Sequence, residues 1–393
     1  MPDLKPTTPE ALLSEVERFI ADEVVPLEVQ EGGNLHHASE EFRRSLQAAA
    51  RARGLLAPHV SREFGGHGLG LVERAPVFEA AGYSLFGPLA INIAAPDEGN
   101  MHLLEMVATE EQKQVYLVPL VAGEIRSAFA MTEPAPGAGS DPSMLRTSAV
   151  PVNGGWRIDG HKWFITGATG ASFFICMART GDSGSAATMF LVDADHPGVR
   201  VERSIDTLDE GMIGGHGEVV FDNCVVGEAA VLGEVDAGFR YAQVRLGPAR
   251  LTHCMRWLGI ATRSHHIALD RALDRMAFGK HLSELGMIQQ MIADNEIDIA
   301  ATRAITKMAS EVIDTGAKGS AETSMAKTFS AEAINRVVDR SLQICGSLGV
   351  SRDVLLSRYY QEVRPFRIYD GPSETHRWSI AKRAFRAAEA RRS

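Results

Sequence analysis

A chain of 393 residues exceeds the length at which a single hydrophobic core stops growing, so two or three domains are expected. With 45% hydrophobic and 23% charged residues, the composition is that of an ordinary globular protein. A net charge of −10 argues against nucleic-acid binding, which needs clustered Lys and Arg, and no run approaches the roughly 20 apolar residues of a membrane span.

In chain order the elements fall into three blocks, 1–123, 124–235 and 236–393. The N-terminus has no basic region followed by an apolar run, so no secretory signal is expected. The first block reads as helical. Leu13, Val16, Ile20 and Val24 recur at three- and four-residue steps, and a later segment opens with Thr109 and Gln112 at capping-box spacing and closes at Gly123. The second block carries the short β-branched and aromatic runs IRSAFAM, WRIDG, KWFIT, SFFICMA, ATMFLV and GEVVF, with turns at Asn153–Gly155 and Gly181–Gly184. This predicts a middle antiparallel β domain. The third block returns to helical spacing, as in Met287, Met291, Ile292 and Ile297. The fold class is therefore α+β.

The Gly-rich runs do not make nucleotide sites. FGGHGLG, ending at Gly70, does not fit G-x-G-x-x-G and follows no strand, and GMIGGHG, ending at Gly217, reads as a mobile loop. Cys176, Cys224, Cys254 and Cys345 form no C-x-x-C pair, so buried thiols in a reducing cytoplasm are expected. The doublets His36-His37 and His265-His266 project about 100° apart on a helix, which argues against a shared metal.

The chemistry concentrates in AFAMTEPAPGAGSD, from Ala128 to Asp141, and GHKWFITGA, from Gly160 to Ala168. A loop of small residues exposes backbone N–H groups to a ligand rich in acceptors. Thr132, Ser140 and Thr166 put hydroxyls beside Phe129, Trp163 and Phe164, which suits a large heteroaromatic cofactor. A plain β-loop-β with aromatic core residues reads equally well. Near the C-terminus, IYDGPSETHRW sets Asp370 between Tyr369 and a Gly-Pro turn, where it is either a helix cap or a catalytic group.

These residues carry a resemblance to the acyl-CoA dehydrogenase family over nearly the whole chain. T-E-P…G-S-D and K-W-F-I-T resemble its two flavin-binding elements, RMAFGKHL resembles R-x-x-F-G-x-x-L, and QICGSLG resembles Q-x-x-G-G-x-G. The resemblance implies an N-terminal helical domain, a middle β domain and a C-terminal four-helix bundle, with FAD as cofactor. It implies that Phe129, Met131 and Thr132 border the flavin ring, with Phe164 and Thr166 at its other edge and Thr166 near N5. Arg275, Phe278, Leu282, Gln343 and Gly346 would reach the FAD of a neighbouring subunit in a homodimer or homotetramer, and Pro372 and Glu374 would also meet the cofactor. Ser140, Arg250 and Gly371 would contact acyl-CoA.

In the family a Y-E-G segment commonly supplies the base, and here it reads Tyr369-Asp370-Gly371. The place some relatives use instead, just before the residue matched to Arg250, holds Ala249. The implied reaction is α,β-dehydrogenation of an acyl-CoA, with Asp370 taking the α-proton, hydride passing to the flavin, and electrons going on to an electron-transfer flavoprotein. Asp in place of Glu, the inserted Ala135-Pro136, Phe164 where many members have Trp and Gly286 where many have Gln point to a narrower branch. In animals that branch is fused to an aminoglycoside-phosphotransferase-like kinase domain. Two rival roles follow: processing of 4-phosphoacyl-CoA in 4-hydroxy acid breakdown, or a non-catalytic flavin-bearing DNA-damage protein.

Overall fold

The computed structural model describes residues 8–181 and 186–392. Most of the turn expected at Gly181–Gly184 lies outside the described residues, as do the first seven residues. In chain order the main elements are α1 (Pro9–Phe19), α2 (Glu40–Ala52), α3 (Leu71–Ala81) and α4 (Asp97–Val107), followed by eight strands. The strands are β1 (Ser127–Ala130), β2 (Ser148–Val152), β3 (Gly155–Thr166), β4 (Phe173–Arg179), β5 (Ala187–Asp193), β6 (Val199–Ile205), β7 (His216–Gly227) and β8 (Val231–Leu232). Then come α5 (Gly238–Asp274), a small hairpin of β9 (Met276–Ala277) and β10 (Lys280–His281), and α6 (Gly286–Asp314), α7 (Ser320–Cys345), α8 (Leu356–Val363) and α9 (Ser373–Ala390).

The described residues form two compact units, and the helices of the N-terminal block are shared between them. The first unit holds 34–68 and 89–246. Its mixed sheet runs β6-β7-β3-β2-β4-β5-β8, with β1 on β4. The pairing is largely antiparallel as expected, while β1–β4 and β2–β4 are parallel. WRIDG and KWFIT form one strand, because irregularities after Ile158 and Lys162 keep β3 paired with the equally long β7. Side chains of β4 alternate between two cores. Phe173, Ile175 and Met177 join helix residues such as Met101, Leu104 and Leu120, whereas Phe174, Cys176 and Ala178 meet Ile158, Val219 and Phe221 of the sheet itself.

The second unit holds 8–33, 69–88 and 247–392. In α1 the Thr8 hydroxyl accepts the Ala11 N–H, Pro9 opens the helix, and Val16 continues the buried stripe through Ile20 and Val24. The turn over Ile20–Val24 is a π-helix, and so is Lys113–Leu117 in the first unit. Both precede the same tripeptide, Val25-Pro26-Leu27 and Val118-Pro119-Leu120. Proline has no N–H and its ring collides with the carbonyl four residues back, and a widened turn relieves both. The carboxylate of Asp314 accepts the N–H groups of Leu71 and Val72, both at 2.9 Å, and so caps α3. Buried Glu28 pairs with Arg263 and accepts from the Tyr359 hydroxyl and the Leu85 N–H, each at 3.2 Å. In the helical bundle, α7 packs against α6, α8 and α9. No described helix is long and apolar enough to cross a membrane.

Candidate functional site

In the first unit, the turn of small residues after β1 is organised by a buried carboxylate. Glu133 accepts from the backbone N–H groups of Arg146 (2.7 Å), Thr147 (2.8 Å) and Ala138 (3.2 Å), and from Lys162 Nζ (2.9 Å). Lys162 is fully buried on β3, and its Nζ also donates to the Met131 carbonyl at 3.1 Å. Burial pushes the Lys162 pKa down, against the pull of Glu133. Burial pushes Glu133 up, but Lys162 and the Thr147 hydrogen bonds hold it below its usual value. This pair ties the T-E-P loop to the K-W-F-I-T strand, and its role was missed although both residues lie inside the motifs.

Two further bonds set the edges. Thr132 Oγ1 donates to the Trp163 carbonyl at 2.6 Å, and the Trp163 N–H returns a bond to the Thr132 carbonyl at 3.1 Å. Phe129, the third predicted ring-bordering residue with Met131 and Thr132, lies under the Arg245 guanidinium at 4.2 Å. Phe164 sits at φ +52 and is 47% exposed, with its ring edge-on to that of Trp163 at 4.9 Å. Thr166 Oγ1 lies 2.9 Å from His216 Nδ1. Ser140 is exposed in the loop. GMIGGHG is a loop only as far as Gly215, since His216 opens β7.

In the second unit, Asp370 sits at φ +53 and Gly371 at φ +98. A Cβ on Gly371 would come within 2.7 Å of His376 Nε2, so glycine is required there for space as well as backbone freedom. Three side chains pin this turn through its carbonyls. Arg250 Nε donates to the Asp370 carbonyl at 2.8 Å, His376 Nε2 lies 3.2 Å from the same oxygen, and Lys327 Nζ donates at 2.8 Å to the carbonyls of both Gly371 and Phe366. Burial, then Arg250, pushes His376 down to about 4, so its ring is neutral. Burial pushes Lys327 down to about 8 against the attraction of Asp370.

The Asp370 carboxylate faces His253, with Oδ2 3.3 Å from Nε2. Arg256 lies 3.0 Å from His253 Nδ1. A guanidinium can only donate, so Nδ1 accepts and Nε2 carries the hydrogen toward Asp370. Tyr369, bonded to Trp257, stacks 4.9 Å from the His253 ring. The cap reading of Asp370 is overturned. Helix α9 begins at Ser373, its N-cap is Pro372, and no side chain caps it. His253 and Arg256 were not singled out as site residues, because in R-L-T-H-C-M-R the basic residues recur every three positions, as they do on many helices.

The remaining predicted residues separate by element. Phe278 and Gly279 sit at φ +52 and +77 in the two-residue turn of the β9–β10 hairpin, and Phe278 is 92% exposed. Arg275 is exposed where α5 ends, and Leu282 packs with Ala268, Ala272 and Ile344. Gln343 and Gly346 are exposed at the end of α7, and Glu374 is exposed in the first turn of α9. His265 and His266 take separate partners, Glu296 and Tyr83. No His, Cys, Asp and Glu cluster among the described residues is arranged to hold a metal.

Comparison with known proteins covers nearly the whole chain. Residues 7–124 match the acyl-CoA dehydrogenase N-terminal domain, 128–224 its middle domain and 236–385 its C-terminal domain. The chain is 38% identical to the probable acyl-CoA dehydrogenase FadE2 of Mycobacterium tuberculosis, over 89% of this chain and 87% of that protein. It is 35% identical to acyl-CoA dehydrogenase family member 10 of Mus musculus and 36% identical to family member 11 of Homo sapiens, over 94% and 86% of this chain. Of those two animal proteins it covers only 36% and 44%, and they belong to the branch expected from the motifs. A solved Mycobacterium abscessus protein, 36% identical, superposes over 98% of this chain and all of its own with a TM-score of 0.89. Butyryl-CoA dehydrogenase of Megasphaera elsdenii, 24% identical, shares the fold at a TM-score of 0.85 over 98% of this chain and all of its own. The chain belongs to the acyl-CoA dehydrogenase family.

Proposed function

We propose that this chain is a FAD-dependent acyl-CoA dehydrogenase that draws the α-proton of an acyl-CoA thioester to Asp370. The observation that carries this reading is how Asp370 is held. Its backbone is strained and fixed through carbonyl contacts with Arg250, His376 and Lys327, while its carboxylate is oriented by the Nε2–H of His253. Strain maintained at one carboxylate by so many partners is what a positioned base requires and what a helix cap does not.

The residues present fit FAD. Exposed Phe164 stands on the same strand as the hydroxyl of Thr166, and the Glu133 bonds keep the neighbouring loop in shape, which together suit a flat ring with a polar edge. Phe129, Met131, Thr132, Phe164 and Thr166 would hold the ring. Bound FAD supplies the acceptor for the hydride leaving the β-carbon. Asp370 accepts the α-proton at a carboxylate oxygen, and Ser140, Arg250 and Gly371 bind the acyl-CoA. Electrons then leave to an electron-transfer flavoprotein.

Asp370 is one methylene shorter than Glu, which leaves room for about one extra methyl at the α-carbon, where overpacking otherwise costs about 1–3 kcal/mol. Anaerobic titration with straight-chain, 2-methyl and 4-oxygenated acyl-CoAs is expected to bleach the flavin, with branched or oxygenated acyl groups accepted. Bleaching by none of them would overturn the reading, and turnover of straight chains alone would remove the substrate part. Release of phosphate from a 4-phosphoacyl-CoA without lasting bleaching would favour the phosphate-elimination role instead.

Arg275, Phe278, Leu282, Gln343 and Gly346 would serve the FAD of a second subunit. The exposed Phe278 on its hairpin turn, beside exposed Leu273 and Met276, supports a contact made outside this chain. Arg275→Ala should lower flavin occupancy and loosen the oligomer together. A variant that keeps full flavin as a stable monomer would count against the shared site.

A further inference from the structure

Thr166 and His216 are cross-strand partners of β3 and β7, and the contact does not stop at this pair. His216 Nε2 lies 2.9 Å from Asp209 Oδ2, in the segment between β6 and β7, and both side chains are largely buried. A carboxylate only accepts, so an imidazole with one hydrogen carries it on Nε2 here and presents a lone pair at Nδ1. The Thr166 hydroxyl, 2.9 Å from Nδ1, therefore spends its single hydrogen on His216. Burial pushes the Asp209 carboxyl up, but His216, the Thr207 hydroxyl and a backbone N–H together hold it below its usual value.

We propose that Asp209 and His216 set the polarity of Thr166, turning its hydroxyl into a hydrogen-bond acceptor toward the ligand at that edge. This rests on the reading that Thr166 lies beside the reactive nitrogen of a bound flavin. The oxidised ring offers a lone pair at that atom and the reduced ring offers an N–H. A hydroxyl with only lone pairs to give discriminates between them and favours the reduced form. Asp209 and His216 are thus positioning residues, acting through Thr166 on where the cofactor's redox equilibrium lies.

The test is the flavin midpoint potential of the purified holoenzyme, read by equilibration with a reference dye and independent of turnover. Thr166→Val should shift the ratio of reduced to oxidised flavin about tenfold toward oxidised, which is about 30 mV for a two-electron couple. His216→Phe should produce the same shift, and no further shift when added to Thr166→Val, because one interaction is being removed twice. Asp209→Asn, which lets the imidazole carry its hydrogen on Nδ1 and frees the Thr166 hydrogen, should also shift toward oxidised while retaining the hydrogen bonds. Nitrogen-15 spectra of the unsubstituted protein should show the His216 hydrogen on Nε2. If Thr166→Val lowers the potential while His216→Phe leaves it alone or raises it, the polarity proposal fails and the flavin placement survives. Equal shifts by His216→Phe with and without Thr166 would also overturn it. If Thr166→Val leaves the potential of bound flavin unchanged, the placement itself is wrong and the proposal falls with it.

Discussion

Asp370→Asn should fold, keep its flavin, bind acyl-CoA and reduce the flavin about 10²–10⁴-fold more slowly, the usual contribution of a positioned general base. The substitution leaves the scaffold intact for reasons visible in the turn. Arg250, His376 and Lys327 hold residues 366–371 by backbone carbonyls that the side-chain change does not touch. Asn tolerates φ +53 as well as Asp does, and its amide oxygen still accepts from His253 Nε2. What disappears is the charge and basicity of one oxygen. Anaerobic stopped-flow reduction by acyl-CoA measures this directly, and an Asn variant that reduces its flavin at the original rate would sink the assignment.

Glu133→Ala should destabilise the β unit by about 3–5 kcal/mol, the range seen when one partner of a buried ion pair is removed. Two losses combine. Lys162 is left buried without its carboxylate, and the N–H groups of Ala138, Arg146 and Thr147 lose their acceptor. Replacing Lys162 by Met at the same time should recover only part of the loss, because the orphaned N–H groups remain. Glu133→Gln, which keeps an acceptor oxygen, should fall between the two. Denaturant unfolding followed through Trp156 and Trp163 on β3, with Trp257 and Trp378 of the second unit replaced by Phe, reports on this unit, and a loss below about 1 kcal/mol for the Ala variant would contradict the bonding described.

Much of the fold was legible because its signals are local. The α1 stripe, the Thr109–Gln112 box and the apolar runs of β4 and β5 each announce themselves within a dozen residues. Strand β6 did not, because Arg200, Glu202 and Arg203 break any apolar alternation along it and only Ile205 is buried. Strand β2 was hidden by Pro151, which ordinarily argues against a strand. The site divided in the same way. Asp370 stood out between an aromatic residue and a Gly-Pro turn, but its partner His253 is 117 positions earlier in the numbering, 370 minus 253, on a helix with no local mark. Asp209 and His216 were concealed for a related reason. Their connection depends on where a glycine-rich loop returns to the sheet, and no periodicity records that.

The left-handed backbone at residue 370 has a consequence for which carboxylate can occupy the position. Asp and Asn enter that region several-fold more readily than most residues, because their short polar side chains interact with the adjacent main chain. Glu, with its carboxylate one bond further out, has no such relief. A change from Asp to Glu here would carry a backbone cost of about 1–2 kcal/mol and move the reacting oxygen one bond outward, a cost that the Y-E-G turn of relatives has to meet by other contacts, although a single nucleotide change connects the codons. Selection for an acid at this turn, starting from this backbone, therefore meets a conformational filter before it meets any chemical one. Saturation of codon 370 scored for folding alone should rank Asn and Gly near the parent and Glu well below them.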